Sequence, residues 1–172
     1  MSKLKVLMCL LIGMIFMLPN CSARIHESEF VLGEIATGDS MDKVRRIYGE
    51  PSKSIPGEIS AYESRWYTYY YGDGNFYVET SKSKNHDIVL VVVTTANNGI
   101  ATKAGIKVGM TKQQLVAAYG NPDKIETKSD GSQYFGYLQQ KPEGARVFSD
   151  GLSLDFKLIG DQIVAITLCY FD

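Results

Sequence analysis

One pattern occurs twice in this chain and limits what it can fold into. The stretches IATGDSMDKVRRIYGEPSK (residues 35–53) and IKVGMTKQQLVAAYGNPDK (residues 106–124) share G-x-[ST]-x3-[VL]-x3-Y-G-x-P at identical spacing. Gly38, Ser40, Val44, Tyr48, Gly49 and Pro51 answer to Gly109, Thr111, Leu115, Tyr119, Gly120 and Pro122. Each copy reads as a short helix with its punctuation. Ser40 and Thr111 are N-caps whose side-chain oxygens accept from the free N–H groups of the first turn. Thr111 and Gln114 have the form of a capping box, and Met110 is placed to staple onto Leu115. In the first copy Lys43 spoils the box, and Asp42 complements the helix dipole. Met41, Val44, Ile47 and Tyr48 share one helical face, as do Leu115, Ala118 and Tyr119. Gly49 and Gly120 sit where a left-handed C-cap is wanted, and the prolines beyond them prevent continuation. Helices of about two turns are marginal alone in water, so each must lean on another element.

Strand-like runs come after each helix. The first copy continues with SRWYTYYY, a GDGN turn, FYVET, a polar loop and IVLVVVTT. The second continues with QYFGYLQQ, a KPEGA loop, RVF, the turn SDG, LSLDFKL and QIVAITLCYF. Aromatic and β-branched runs joined by Asp-Gly turns read as antiparallel hairpins. IVLVVV and IVAITL lack alternation, which predicts central strands covered on both faces. No helix-length crossover separates the runs, which predicts antiparallel rather than parallel pairing. The fold expected is α+β, with two tandem repeats, each a short helical segment packed on an antiparallel meander. The repeats span residues 24–98 and 99–172 and meet near the Asn98-Gly99 turn. Correspondence between them is clean through the helix and loses register after Pro122. A unit of about 70 residues buries a marginal fraction of its surface, and stacking two improves that fraction.

Residues 1–23 stand outside this scheme. MSKLK is a basic start, VLMCLLIGMIFML is an apolar run of 13 and Pro19 breaks it. The run is too short to span a bilayer and has the length of a signal-peptide core. CSA (residues 21–23) has the small–x–small form of a cleavage site, which predicts a mature chain beginning at Arg24. LPNC also resembles a bacterial lipobox that would lipidate Cys21, although Pro19 and Asn20 match it poorly. The address expected is extracytoplasmic, secreted or periplasmic, with a membrane anchor only through Cys21. Removing residues 1–23 takes away Lys3 and Lys5 and no acid, which moves the net charge from −1 to −3. That balance offers no surface for nucleic acid.

Chemistry is sparse. His26 comes just after the signal, and His86 lies in the polar turn KSKNHD; neither accompanies a nucleophile motif. GDGN lacks the acids of a calcium loop, and no phosphate-binding loop occurs. Asp123, Glu126 and Asp130 show no ligand spacing. Cys169, in IVAITLCYF, reads as a small buried hydrophobe. No enzyme, cofactor or metal is expected.

The aromatic run carries the functional promise. Along RWYTYYY, Trp66, Thr68 and Tyr70 share one face of a strand, and Tyr67, Tyr69 and Tyr71 share the other. Tyr134 and Tyr137 extend the set into the second copy. These seven rings are either a thick aromatic core or a protein-binding surface; a helix on one side of the sheet must cover one set, and alternation alone does not say which. The double motif after an export signal resembles the outer-membrane lipoprotein (SmpA/OmlA) domain and the tandem-repeat β-lactamase-inhibitory proteins. The inhibitor resemblance implies binding of an enzyme across the open face of the sheet. The lipoprotein resemblance implies a structural role in envelope assembly. The function expected is a non-enzymatic protein-binding module, with an anchored envelope component as the alternative.

Overall fold

Both motif copies form their helices, α1 (Met41–Tyr48) and α2 (Lys112–Tyr119). The computed structural model describes residues 25–59, 65–84, 86–140 and 151–171. The signal segment with Cys21 and the RVF run lie outside the described residues. The caps are those the residue types dictate. Ser40 Oγ accepts from the Lys43 N–H at 3.3 Å, and Thr111 Oγ1 accepts from the Gln114 N–H at 3.2 Å. Gln114 Oε1 reaches back to the Thr111 N–H at 2.9 Å, completing the box in the second copy. At the other end, the Gly49 N–H donates to Arg45 O and the Gly120 N–H to Val116 O, both at 2.8 Å. Here the backbone departs from the expected left-handed cap. Gly49 has φ 79° and ψ −161°, and Gly120 has φ 75° and ψ −162°. Positive φ with ψ of that size is open essentially to glycine alone, so the requirement is stricter than a left-handed helical cap.

Among the described residues the sheet has eight strands: β1 (Lys53–Ile59), β2 (Arg65–Tyr71), β3 (Phe76–Lys82), β4 (Asp87–Thr94), β5 (Lys124–Thr127), β6 (Gln133–Gln140), β7 (Gly151–Ile159) and β8 (Gln162–Phe171). Their order is β1-β2-β3-β4-β8-β7-β6-β5, antiparallel throughout. Each half therefore supplies a four-stranded meander, and the halves join through β4 and β8. The unalternating runs are the central strands, as their composition predicts. The two edge strands, β1 and β5, carry no such signal. β1 contains Pro56 and Gly57, and all four residues of β5 are exposed. An edge tolerates a residue without an N–H and buries too little to impose a pattern.

Both helices lie on one face. Met41, Val44 and Leu115 are 0% exposed and join one core with Val78, Val92, Phe156 and Leu168. Among the described residues no helix covers the other side of β4 and β8, which corrects the expectation. On the opposite face Val93 is still only 6% exposed, although it stands outside that core.

Matching detail runs beyond the helices. The Gly38 N–H donates to Val89 O at 2.7 Å, and the Val89 N–H donates to Asp39 O at 2.8 Å. In the second half the Gly109 N–H donates to Ile163 O at 2.8 Å, and the Ile163 N–H to Met110 O at 2.9 Å. A bulge comes next in both: Leu90 is the extra residue against β3, and Val164 is the extra residue against β7. Val89 thus occupies the place of Ile163.

Candidate functional site

The helices decide the two faces of β2. Tyr69 and Tyr71, 5% and 6% exposed, point into the core, whereas Trp66 is 43% exposed on the helix-free face. Tyr71 packs 5.9 Å from Tyr48 and 5.7 Å from Phe76, measured between ring centroids. Tyr137, 1% exposed, lies 5.5 Å from Tyr119 and 5.8 Å from Phe156 and donates its O–H to Gly120 O at 3.0 Å. Tyr69, Tyr71 and Tyr137 are therefore core rings and leave the candidate surface, because no partner reaches a side chain under a helix. Tyr67 is half-buried at the margin of the same core, stacked 5.8 Å from Tyr69 with Lys82 Nζ 5.6 Å from its ring.

On the helix-free face the register builds a patch that composition alone does not reveal. Tyr70 faces Tyr77 across β2 and β3, with ring centroids 5.3 Å apart, and Lys53 Nζ stands 5.9 Å from the Tyr70 ring. Tyr77 belongs to the site although it was not among the expected rings; its signal is the alternation of FYVET, legible only with the register in hand. Trp66 backs onto β1, where a Cβ at Gly57 would stand 3.2 Å from Trp66 Cβ. A recess of about 320 Å³ bordered by Ser52, Lys53, Tyr70 and Asp73 lies beside the pair. In the second half Tyr134 lies between two lysines, with Lys128 Nζ and Lys157 Nζ each 5.6 Å from its ring.

Burial pushes the phenols of Tyr48, Tyr69 and Tyr71 up to about 12. Burial and then Asp123 push Tyr137 up as well. Tyr48, Tyr69 and Tyr137 donate hydrogen bonds to Gly33 O, Asp87 Oδ2 and Gly120 O, whereas the buried Tyr71 hydroxyl has no partner among the described residues. Cys169 is free but does not sit in the core as expected. It is half-buried on the helix-free face, 4.0 Å from Asp155, and burial together with that carboxylate pushes its thiol up to about 11. His26 caps the short turn Glu27–Glu29, and His86 lies 3.1 Å from Ser83. Among the described residues no group of three His, Cys, Asp or Glu side chains is placed to hold a metal. No helix among them is long and apolar enough to cross a membrane.

Fold and site together define an α+β module, a single antiparallel sheet backed by two short helices and presenting rings on its open face. The chain belongs to the CAP-associated N-terminal family, whose pattern matches residues 37–144. Both helix motifs fall within that match. The outer-membrane lipoprotein resemblance rests on the helix motif alone, which is punctuation that any short capped helix needs. Among solved structures the chain is similar to an extracellular protein containing an SCP domain from Bacillus anthracis str. Ames, at 16% identity and a TM-score of 0.45. That likeness covers 79% of this chain, which spans only 44% of the Bacillus protein. The chain is also similar to a candidate β-lactamase inhibitor protein from Streptococcus mutans, at 17% identity and a TM-score of 0.29, covering 78% of this chain and 85% of that one. At those scores neither likeness assigns a function. No curated protein matches the chain.

Proposed function

We propose that this chain is an exported protein-binding module, without enzymatic activity of its own, that grips another protein with the helix-free face of its sheet. The observation that carries the reading is Trp66, 43% exposed on the face of β2 that also carries Tyr70, whose ring meets Tyr77 on β3. Rings held by a sheet lose little entropy on binding, and Trp and Tyr are enriched among the residues that dominate interface energies. Trp66, Tyr70 and Tyr77 are the anchors and Tyr134 is a second contact across the sheet, whereas Tyr67 packs at the margin of the core on the opposite face. The family's name fits a module that works alongside another domain.

Affinity capture from the extracytoplasmic fraction of the producing cell tests this. A protein retained by the wild-type chain and lost by Trp66→Ala, at unchanged melting temperature, supports the reading. Equal retention by both sinks it.

Residues 24–98 and 99–172 are copies of one duplicated unit, supported by the matched caps, hydrogen bonds and bulges. Residues 1–23 are an export signal cut after Ala23. Lipidation of Cys21 is the alternative, and it would make the chain an anchored envelope component. Intact mass of the native protein separates the two, because a diacyl anchor adds a large increment.

A further inference from the structure

The sheet ends in two corresponding strands, and only one of them is closed to further pairing. β1 and β5 lie at opposite ends of the strand order, each the outermost strand of its meander. β1 contains Pro56, which has no N–H to offer, and its register breaks between Pro56 and Ile59. Such features blunt an edge. β5 has neither. Its register with β6 runs unbroken from Lys124↔Gly136 to Thr127↔Gln133. All four of its residues are exposed, Ile125 to 57%, and among the described residues no strand lies beyond it.

The hairpin fixes which backbone groups of β5 are free. The Lys128 N–H donates to Ser132 O at 2.9 Å, across the opposed pair that follows Thr127↔Gln133. Bonded and unbonded pairs alternate along an antiparallel ladder. Lys124 and Glu126 therefore turn their N–H and C=O groups towards β6, and Ile125 and Thr127 turn theirs out of the sheet. Ile125 is in register with Phe135 of the core, which puts its side chain on the helix side. Lys124 and Glu126 stand on the open face. Glu126 meets Lys128 along its own strand, and Lys124 forms no ion pair among the described residues.

We infer that the occupant of this edge is β5 of a second copy of the chain, paired antiparallel about a two-fold axis at Ile125. In that register the free N–H and C=O groups of the two Ile125 residues bond each other, and their exposed side chains meet. Lys124 of each copy then faces Glu126 of the other. Opposite charges directly across a ladder attract, and like charges repel. The other registers that match outward groups fail. Centred on Lys124, the pairing opposes two lysines. Centred on Glu126, it opposes two glutamates and sets Lys124 against Lys128. Centred on Thr127, it leaves Ile125 opposite the Lys128–Gly131 turn. The charges of β5 thus block sliding and permit one self-pairing. The axis stands perpendicular to the sheet, so both copies present their ring patches on one side. A ladder this short buries less than the roughly 1,200 Å² of a standard interface, which makes the dimer a weak, exchanging one. The inference does not depend on what the ring patch grips.

Sedimentation equilibrium of the full chain between about 10 μM and about 1 mM tests it, a range suited to a weak interface. The mean mass rises from monomer towards dimer, and amide exchange at Ile125 and Thr127 slows with concentration. Lys124→Glu alone and Glu126→Lys alone each oppose like charges, and each weakens association at least about tenfold. Mixed in equal amounts the two variants associate again, because each supplies the sign that the other lacks. That recovery also shows that both variants are folded. A monomer at every concentration, an undiminished dimer in Glu126→Lys, or a mixture that stays monomeric overturns the inference. Association abolished by Trp66→Ala and spared by Glu126→Lys places the contact on the ring patch, and overturns it too. Protection of Ile125 and Thr127 that appears only with a captured partner gives the edge to another protein, with the same consequence.

Discussion

Val93 and Thr167 face each other across the seam of the sheet, and each is the other's counterpart. Val89 occupies the place of Ile163, so Val93, four residues on, occupies the place of Thr167. The neighbouring pairs obey the same rule: Val92 faces Leu168 and Thr94 faces Ile166. Such reciprocal pairing is that of an isologous interface, and a pseudo-two-fold axis passes between Val93 and Thr167. The two halves of the sheet meet through corresponding strands, β4 and β8.

Because the seam carries ladder hydrogen bonds and core residues of both halves, the halves are expected to unfold together. Calorimetry should show one transition, with the slowest amide exchange at Val92, Val93 and Leu168. Two separate transitions would contradict the shared core.

Gly49 isolates the backbone requirement of the motif. No atom lies within 4 Å of a Cβ built there, so Gly49→Ala meets no clash and costs only its backbone conformation. A loss of about 1–3 kcal/mol is expected for a non-glycine residue held in that region. Urea unfolding should show a lower midpoint at unchanged slope; an unmoved midpoint counts against the cap.

The rings should divide by face. Tyr69→Ala and Tyr137→Ala each remove a core ring and are expected to cost about 3–5 kcal/mol. Trp66→Ala is expected to cost under about 1 kcal/mol, as surface substitutions do. Denaturant curves of the three variants check this, and a Trp66→Ala loss equal to that of Tyr137→Ala would mean the indole is core.

Alkali should unfold the protein through its tyrosines. Tyr48, Tyr69 and Tyr71 have phenols raised from 10.0 to about 12. A raised folded-state value means the native chain holds the proton longer than the unfolded chain. Their contribution is therefore complete below about pH 10 and is lost as pH rises from about 10 through about 12. Absorbance at the phenolate band should show a cooperative rise that coincides with loss of structure. Tyr48→Phe should weaken that alkaline dependence, since it removes one such group and its hydrogen bond to Gly33 O.

The local elements were legible in the residues alone. Ser40, Thr111, Gln114, Gly49 and Gly120 act within a turn of their own positions, so the ends of both helices needed no tertiary contact to be read. IVLVVV and IVAITL announced central strands because only burial tolerates such runs, and GDGN announced its hairpin through glycines at positive φ. Packing settled everything that depends on which side faces what. Alternation along RWYTYYY is unchanged when the two faces are exchanged, and only the docking of α1 and α2 sent Tyr69 and Tyr71 inward and left Trp66 in water. Tyr77 joined Tyr70, and Asp155 met Gly136, through a register set by hydrogen bonds between distant residues. Cys169 went to the open face for the same reason. β1 and β5 took shape only because a neighbouring strand offered them a ladder, since an edge buries too little to write a pattern into its own residues.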